Sequence, residues 1–236
     1  MSSHEELAPT AWLALENGVV LPGRAVGARG EKGGDIVFNT AMSGYQEILT
    51  DPSYFGQVVV MTYPLIGNYG IVAEDDESGA AWPEAFVMKE MSSIPSNRRA
   101  TSSLPDWLAA KGVVAIDGVD TRRLTKIVRE EGCLKCVVST VDSNPESLVQ
   151  KAKGTLSTDN RDLARIVTCK QAYEWNHDFD PSYPALVESW SGKRKRCVAY
   201  DFGAKRNIMR SLVHAGFDVT VVPATTKASE VLALEP

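Results

Sequence analysis

Few side chains in this sequence have both the type and the spacing that chemistry requires. Cys133 and Cys136 form a Cys-x-x-Cys, the spacing of a zinc ligand pair or of a redox dithiol. A structural zinc needs four ligands, yet Cys169 and Cys197 lie far off and outside any such pair. His4, His177 and His214 show no ligand spacing either. Cys133 follows Gly132 at an expected helix end and Cys136 falls in an expected strand, so both read as small apolar residues with no metal between them. A thiol nucleophile on a strand-to-helix elbow needs flanking glycines, so that its thiolate is exposed to a base. Cys197 follows Arg196 and opens a strand, and Cys169 precedes a polar helix start, so none of the four meets that requirement.

Three other groups carry charge or hydroxyl chemistry. Ser53 follows Pro52 in Thr50-Asp-Pro-Ser-Tyr54, and taken alone it is an ordinary turn serine. Phe202-Gly-Ala-Lys-Arg-Asn207 joins a strand to a helix whose N-terminus could face an anion, but the glycine fingerprint of a dinucleotide site is missing, which leaves a plain βα turn. Lys193-Arg-Lys-Arg196 reads as a solvated linker, and Asp120-Thr-Arg-Arg123 as a helix cap followed by two surface arginines.

The elements that must position these residues emerge from periodicity and breakers. Ala11 to Val20 is a hairpin turning at Glu16-Asn17-Gly18, followed by glycine-rich loops from Gly27 to Gly34. Asp35 to Asn39 and the β-branched run Gln57 to Thr62 are strands, with Pro64 to Gly70 a loop. Ser43 and Gln46 have capping-box spacing for a helix reaching about Thr50, where Asp51-Pro52 stops it. Ala85 to Glu90 is a strand, Leu104 to Lys111 a helix opened by Ser103 and Asp106, and Val113 to Ile116 a strand. Thr121 to Glu131 is an amphipathic helix stopped by Gly132, Leu134 to Ser139 a strand, and Pro145 to Lys153 a helix.

Beyond Gly154 the pattern weakens into a linker, with Pro181 and Pro184 and a short helix near Gln171 to Trp175. Cys197 to Asp201, Ala204 to His214 and Phe217 to Val222 then read as strand, helix, strand, a βαβ unit with a parallel pair. Two parallel strands and one helix cannot cover both faces of a parallel sheet. The expectation is therefore an α/β protein with an N-terminal domain over 11–152, a linker over 153–196, and over 197–236 the opening of a domain whose remainder is absent.

Composition excludes several classes. The 236 residues are 44% hydrophobic and 23% charged, with a net charge of −5, so nothing draws the chain to nucleic acid or an anionic membrane. No apolar run approaches the roughly 20 residues that span a bilayer. The N-terminal ten residues are polar and acidic, a loose tail rather than a leader, and the four cysteines fit free thiols in the cytoplasm.

Four ordered stretches carry a resemblance. "NTAMSGYQEILTDPSYFGQVVVMTYPLIGNYG" from Asn39, "VAIDGVDTRRLTKIVREEG" from Val114, "DLARIVT" from Asp162 and "VAYDFGAKRNIMRSLVHAGFDVTVVPA" from Val198 resemble the small subunit of glutamine-dependent carbamoyl phosphate synthetase. The resemblance covers about residues 11–236. It implies an N-terminal α/β domain followed by a class I glutamine amidotransferase domain of flavodoxin-like, parallel-sheet type, here truncated after its first βαβ unit. It implies hydrolysis of glutamine to supply ammonia to a large subunit, which would use ATP and Mg to make carbamoyl phosphate for arginine and pyrimidine synthesis. The implied nucleophile is a cysteine assisted by a histidine and a glutamate, all beyond the end of this sequence. Site residues in this chain then reduce to Ser53, whose hydroxyl would help to hold glutamine, with no catalytic or metal-binding residue and no cofactor. On this reading the 236-residue chain by itself is inactive. The alternative is a non-catalytic docking module for the large subunit.

Overall fold

Along Gln57–Met61 successive side chains enter two different cores, Val58 and Val60 in one, Val59 and Met61 in the other, all completely buried. Side chains alternate across a strand, so an unbroken apolar run belongs to a strand covered on both faces. The architecture around it explains why. The computed structural model describes residues 10–179 and 190–236. These fall into two compact units. The tail expected over the first residues lies, up to residue 9 and with His4, outside the described residues, as do Pro181 and Pro184.

The first unit comprises the chain up to Leu49, Tyr54–Asp75 and Ala80–Asn160. Its strands are β1 (Ala11–Leu15), β2 (Val20–Ala25), β3 (Glu31–Asn39), β4 (Gln57–Met61), β5 (Leu65–Ile66), β6 (Ala85–Val87), β7 (Glu90–Met91), β8 (Val114–Asp117) and β9 (Leu134–Ser139). Its helices are α1 (Tyr45–Thr50), α2 (Leu104–Ala110), α3 (Thr121–Glu131) and α4 (Pro145–Gly154). Seven strands close a barrel in the order β1-β2-β8-β6-β4-β3-β9, while β5 and β7 form a separate parallel pair. Neighbours from β3 to β8 are parallel, and the pairings of β1 with β2 and β9, of β2 with β8 and of β3 with β9 are antiparallel.

All seven barrel strands contribute to one core, among them Leu13, Leu21, Ile36, Val58, Val87, Ile116 and Val138, and Leu124 and Val128 of α3 join it. The outer faces of β4, β6 and β8 pack with α1 and α2 through Val59, Phe86, Ala115, Tyr45, Leu104 and Leu108. Ala14 and Val137 meet Leu148 and Ala152 of α4. Among the described residues no helix is long and apolar enough to cross a membrane.

Most local expectations hold, and several are corrected. The Ser103–Asp106 cap, the Asp120 cap and the Gly132 stop are present. The Ser43–Gln46 capping box is not how α1 begins. Gly44 and Tyr45 donate their N–H groups to the Tyr69 hydroxyl at 2.7 and 3.1 Å, and the Gln46 amide exchanges two hydrogen bonds with the Val72 backbone. A tertiary partner replaces the local cap because helix donors are satisfied by whichever acceptor lies nearest. The glycines near Gly34 are not all loop. Gly33 and Gly34 lie inside β3, where a Cβ on Gly34 would collide with the Gly56 carbonyl. The loop expected over Pro64–Gly70 contains β5.

The second unit comprises Thr50–Ser53, Asp76–Gly79 and Arg161–Pro236. It contains α5 (Ala164–Val167), β10 (Tyr173–Trp175), β11 (Lys195–Asp201), α6 (Arg206–His214), β12 (Phe217–Pro223) and α7 (Ala228–Ala233). β11 and β12 are parallel and flank α6 in sequence, so the βαβ unit is present. The helix expected near Gln171 to Trp175 is instead β10, paired antiparallel with β12. Its aromatic residues suit a pleated edge, and the pairing supplies backbone partners that so short a helix could not. Met209, Val213, Val219 and Val221 form the core. The basic run is solvent-exposed as expected, but it is not all linker. Arg194 pairs with Asp218 at 2.9 Å and donates to the Val213 and Phe217 carbonyls, and Lys195 and Arg196 begin β11.

Candidate functional site

Ser53 lies in the second unit, on a single turn of 3-10 helix, Pro52–Tyr54, that comes directly after α1. Proline cannot continue the helix, so the chain turns at Asp51-Pro52. The Asp51 side chain completes the turn, accepting the Ser53 N–H on Oδ1 at 2.9 Å. This is the Asx arrangement in which a short carboxylate mimics a backbone acceptor. The other oxygen, Oδ2, lies 3.4 Å from Lys205 Nζ. Asp51 itself is buried, while Ser53 is exposed and no described residue bonds to its hydroxyl. The result is a fixed backbone with a hydroxyl able to donate to a carboxylate or accept from an ammonium.

Two further segments hold this turn. Thr50 accepts the Glu77 N–H on its hydroxyl at 2.8 Å, and its carbonyl accepts from the Ser78 hydroxyl at 2.7 Å. Glu77, only 4% exposed, faces the start of α6. Its carboxylate accepts from the Asn207 N–H at 2.9 Å and the Asn207 side-chain amide at 2.6 Å, and its carbonyl accepts the Arg206 N–H. The first residues of α6 carry no side-chain cap of their own, so Glu77 supplies the acceptor the helix dipole favours. The turn between β11 and α6 is fixed from behind by Asp201, which accepts the N–H groups of Gly203, Ala204 and Cys169. Gly203 has φ +91°, and a Cβ there would lie 3.0 Å from Pro52 Cβ and 2.8 Å from Val167 Cγ2, so only glycine fits.

The sequence singles out Ser53 alone in this set. By local pattern Asp51 is a helix stop, Lys205 is part of a plain turn, and Glu77 goes unnoticed. A signal for Glu77 exists in the helix start Ala-Lys-Arg-Asn, which lacks a good N-cap residue and so requires an external acceptor.

The thiols sit elsewhere. Cys133 is exposed, and Cys136 is buried in the barrel. Burial, the largest influence, pushes all four thiols above the usual range, reinforced at Cys133 by Asp35 and at Cys169 by Asp201. A raised pKa lowers the thiolate fraction at neutral pH, and the thiolate is the reactive form. Iodoacetamide near neutral pH is therefore expected to label Cys133 slowly and to leave Cys136 unmodified until the barrel unfolds, as mass spectrometry of the digested protein would show. Rapid native labelling of Cys136 would contradict its placement. His214 pairs with Asp178 at 3.0 Å, and the His177 carbonyl accepts from the Trp175 indole. Among the described residues no three His, Cys, Asp or Glu side chains gather as a metal site.

Comparison with known proteins agrees along the length of the chain. The family described as "Carbamoyl-phosphate synthase small chain, CPSase domain" matches residues 13–138. The carbamoyl phosphate synthase small chain of Syntrophotalea carbinolica is 51% identical over 226 residues, 96% of this chain and 60% of that protein. Its counterpart in Nitratidesulfovibrio vulgaris strain Hildenborough is 47% identical over 95% of this chain and 60% of its own length. That of Pseudomonas putida is 46% identical over 96% and 61%. The chain thus spans about 60% of the length of the curated relatives it matches. With half of its residues matched by the family pattern and nearly all of them aligned to proteins of that name, the chain belongs to the carbamoyl-phosphate synthase small chain family.

Proposed function

We propose that this chain forms part of the glutamine-hydrolysing half of a carbamoyl phosphate synthase, with Ser53 as its contribution to the glutamine site. In that reaction water cleaves the side-chain amide of glutamine, giving glutamate and ammonia. A large chain would consume the ammonia in an ATP- and Mg-dependent synthesis of carbamoyl phosphate, serving arginine and pyrimidine production in the cytoplasm. The observation that carries the reading is the Ser53 hydroxyl, exposed and unengaged among the described residues on a turn that Asp51 holds. A preorganised donor of this kind binds without an ordering cost.

The nucleophile and its base belong, on this reading, to residues beyond 236. Residues 11–152 form a self-sufficient N-terminal domain, 197–236 open a class I amidotransferase domain, and 153–196 link the two. Support for the amidotransferase opening comes from the parallel pairing of β11 with β12, which flank α6 in sequence as in a βαβ unit of a doubly wound sheet. The 236-residue chain alone would then lack glutaminase turnover.

The test is Ser53→Ala in the chain at its full coding length, assembled with the large chain. Loss of one hydrogen bond to a charged substrate group is expected to lower glutamine-dependent kcat/KM by about tenfold to a hundredfold, chiefly through KM. Synthesis from added ammonia should be unchanged. Equal rates with glutamine for variant and parent would remove Ser53 from the site and leave a docking role.

A further inference from the structure

Asp35 of β3 is a carboxylate only 1% exposed. Its Oδ2 accepts three hydrogen bonds, from the Ser157 hydroxyl at 3.0 Å, the Thr158 N–H at 2.7 Å and the Thr158 hydroxyl at 2.6 Å. All three donors belong to two consecutive residues just beyond α4. Position 33 lies on the same side of β3 as position 35. It is a glycine, and a Cβ there would lie 2.6 Å from Thr155 Oγ1 and 2.8 Å from the Cys136 carbonyl. One side of β3 is therefore shaped to receive residues 155–158. Apolar packing does not hold them. Leu156, their one large apolar side chain, is 71% exposed, and the other three residues are half-buried. The attachment is polar and rests on one carboxylate, whose burial in turn depends on these donors. Directly afterwards Asn160 adopts a left-handed backbone with φ +59°, a turn conformation that asparagine tolerates. The barrel unit ends at that residue, and the second unit resumes at Arg161.

We propose that residues 155–158 are a releasable strap, latched by Asp35, that sets where the chain leaves the barrel unit. Latched, the connection to the second unit starts after Thr158. Released, it starts at the end of α4, at Gly154, and gains roughly 13 Å of extended reach. None of the three apolar clusters of the barrel unit includes a strap residue, so the strap can open while the barrel stays folded. Opening also admits water to Asp35, and hydration of the carboxylate offsets much of the lost hydrogen bonding. The latch thus meters the freedom of the second unit without a change in either core, and it is independent of the role of Ser53.

The test combines Ser157→Ala with Thr158→Val in this chain, which removes both hydroxyl donors and leaves every barrel strand as it is. Thermolysin cleavage before Leu156, read by mass spectrometry of the fragments, should accelerate about tenfold or more. Hydrogen exchange at the residue-158 N–H, followed by NMR, should accelerate by about as much, while exchange in β3, β4 and β9 keeps the parent rate. Backbone order parameters over residues 155–158 should fall below about 0.6. Asp35→Asn should release the strap in the same way, because half of its polar head becomes a donor facing donors. Should Asp35→Asn disturb the barrel as a whole, the double variant decides, since it leaves Asp35 in place. Parent rates of cleavage before Leu156 and of exchange at residue 158 in the double variant would overturn the inference. Equal acceleration in the strap and in β4 would overturn it too, because the strap would then open only with the barrel.

Discussion

Phe86→Ala is expected to destabilise the barrel unit by about 3–5 kcal/mol, the range for deleting a buried aromatic ring and leaving a cavity. Phe86 is completely buried at the centre of β6, in register with Val59 of β4 and Ala115 of β8. It belongs to the core that also holds Tyr45 of α1 and Leu104 and Leu108 of α2. A whole domain is stable by only about 5–15 kcal/mol, so this one change removes a large share. Phe86→Leu keeps most of the volume and should cost under about 1.5 kcal/mol. Urea unfolding followed by circular dichroism measures both. A loss below about 1 kcal/mol for the alanine would mean that the outer layer of helices does not pack on β4, β6 and β8 as described.

Glu77→Ala should act on the second unit. It removes the acceptor for the Asn207 N–H and leaves the Asn207 side-chain amide without its carboxylate. Losing a charge-assisted cap is expected to cost about 1.5–3 kcal/mol, felt first at the start of α6. Hydrogen exchange over Arg206–His214 should accelerate by about tenfold or more, and exchange in the barrel strands should not. Glu77→Gln keeps one acceptor oxygen and puts an amide donor beside Asn207, so it should fall between the two. If α6 exchanges at the parent rate in Glu77→Ala, Glu77 is not its cap. The change should also loosen the Ser53 turn, because Thr50 is tied to the Glu77 N–H and the Ser78 hydroxyl.

What the sequence determines by itself is mainly local, together with the family. Strands β4 and β9 and helices α2, α3 and α4 are legible because the signals within each agree, an apolar run in the strands and period, cap or stop residue in the helices. Asp120 and Gly132 bracket α3 in the sequence as they do in space. Ser53 is legible only through the resemblance, since a serine after proline has no distinguishing local signature.

Tertiary structure alone decides the rest. Closure of seven strands into a barrel depends on pairings such as β1 with β9, far apart in the chain, and alternation within a strand says which face is buried but not which strand lies alongside. The start of α1 escapes local reading for the same reason, because its orphan N–H groups find the Tyr69 hydroxyl, 24 and 25 residues away, rather than Ser43. Tyr173–Trp175 is a strand because β12 offers it a hydrogen-bonding edge. The candidate site joins Asp51 and Ser53 to Glu77, Asp201 and Lys205, drawn from three separated segments. The bonds that join those segments are short in space and long in sequence. Backbone donors and buried carboxylates must find partners wherever the fold brings them, and no periodicity records that requirement.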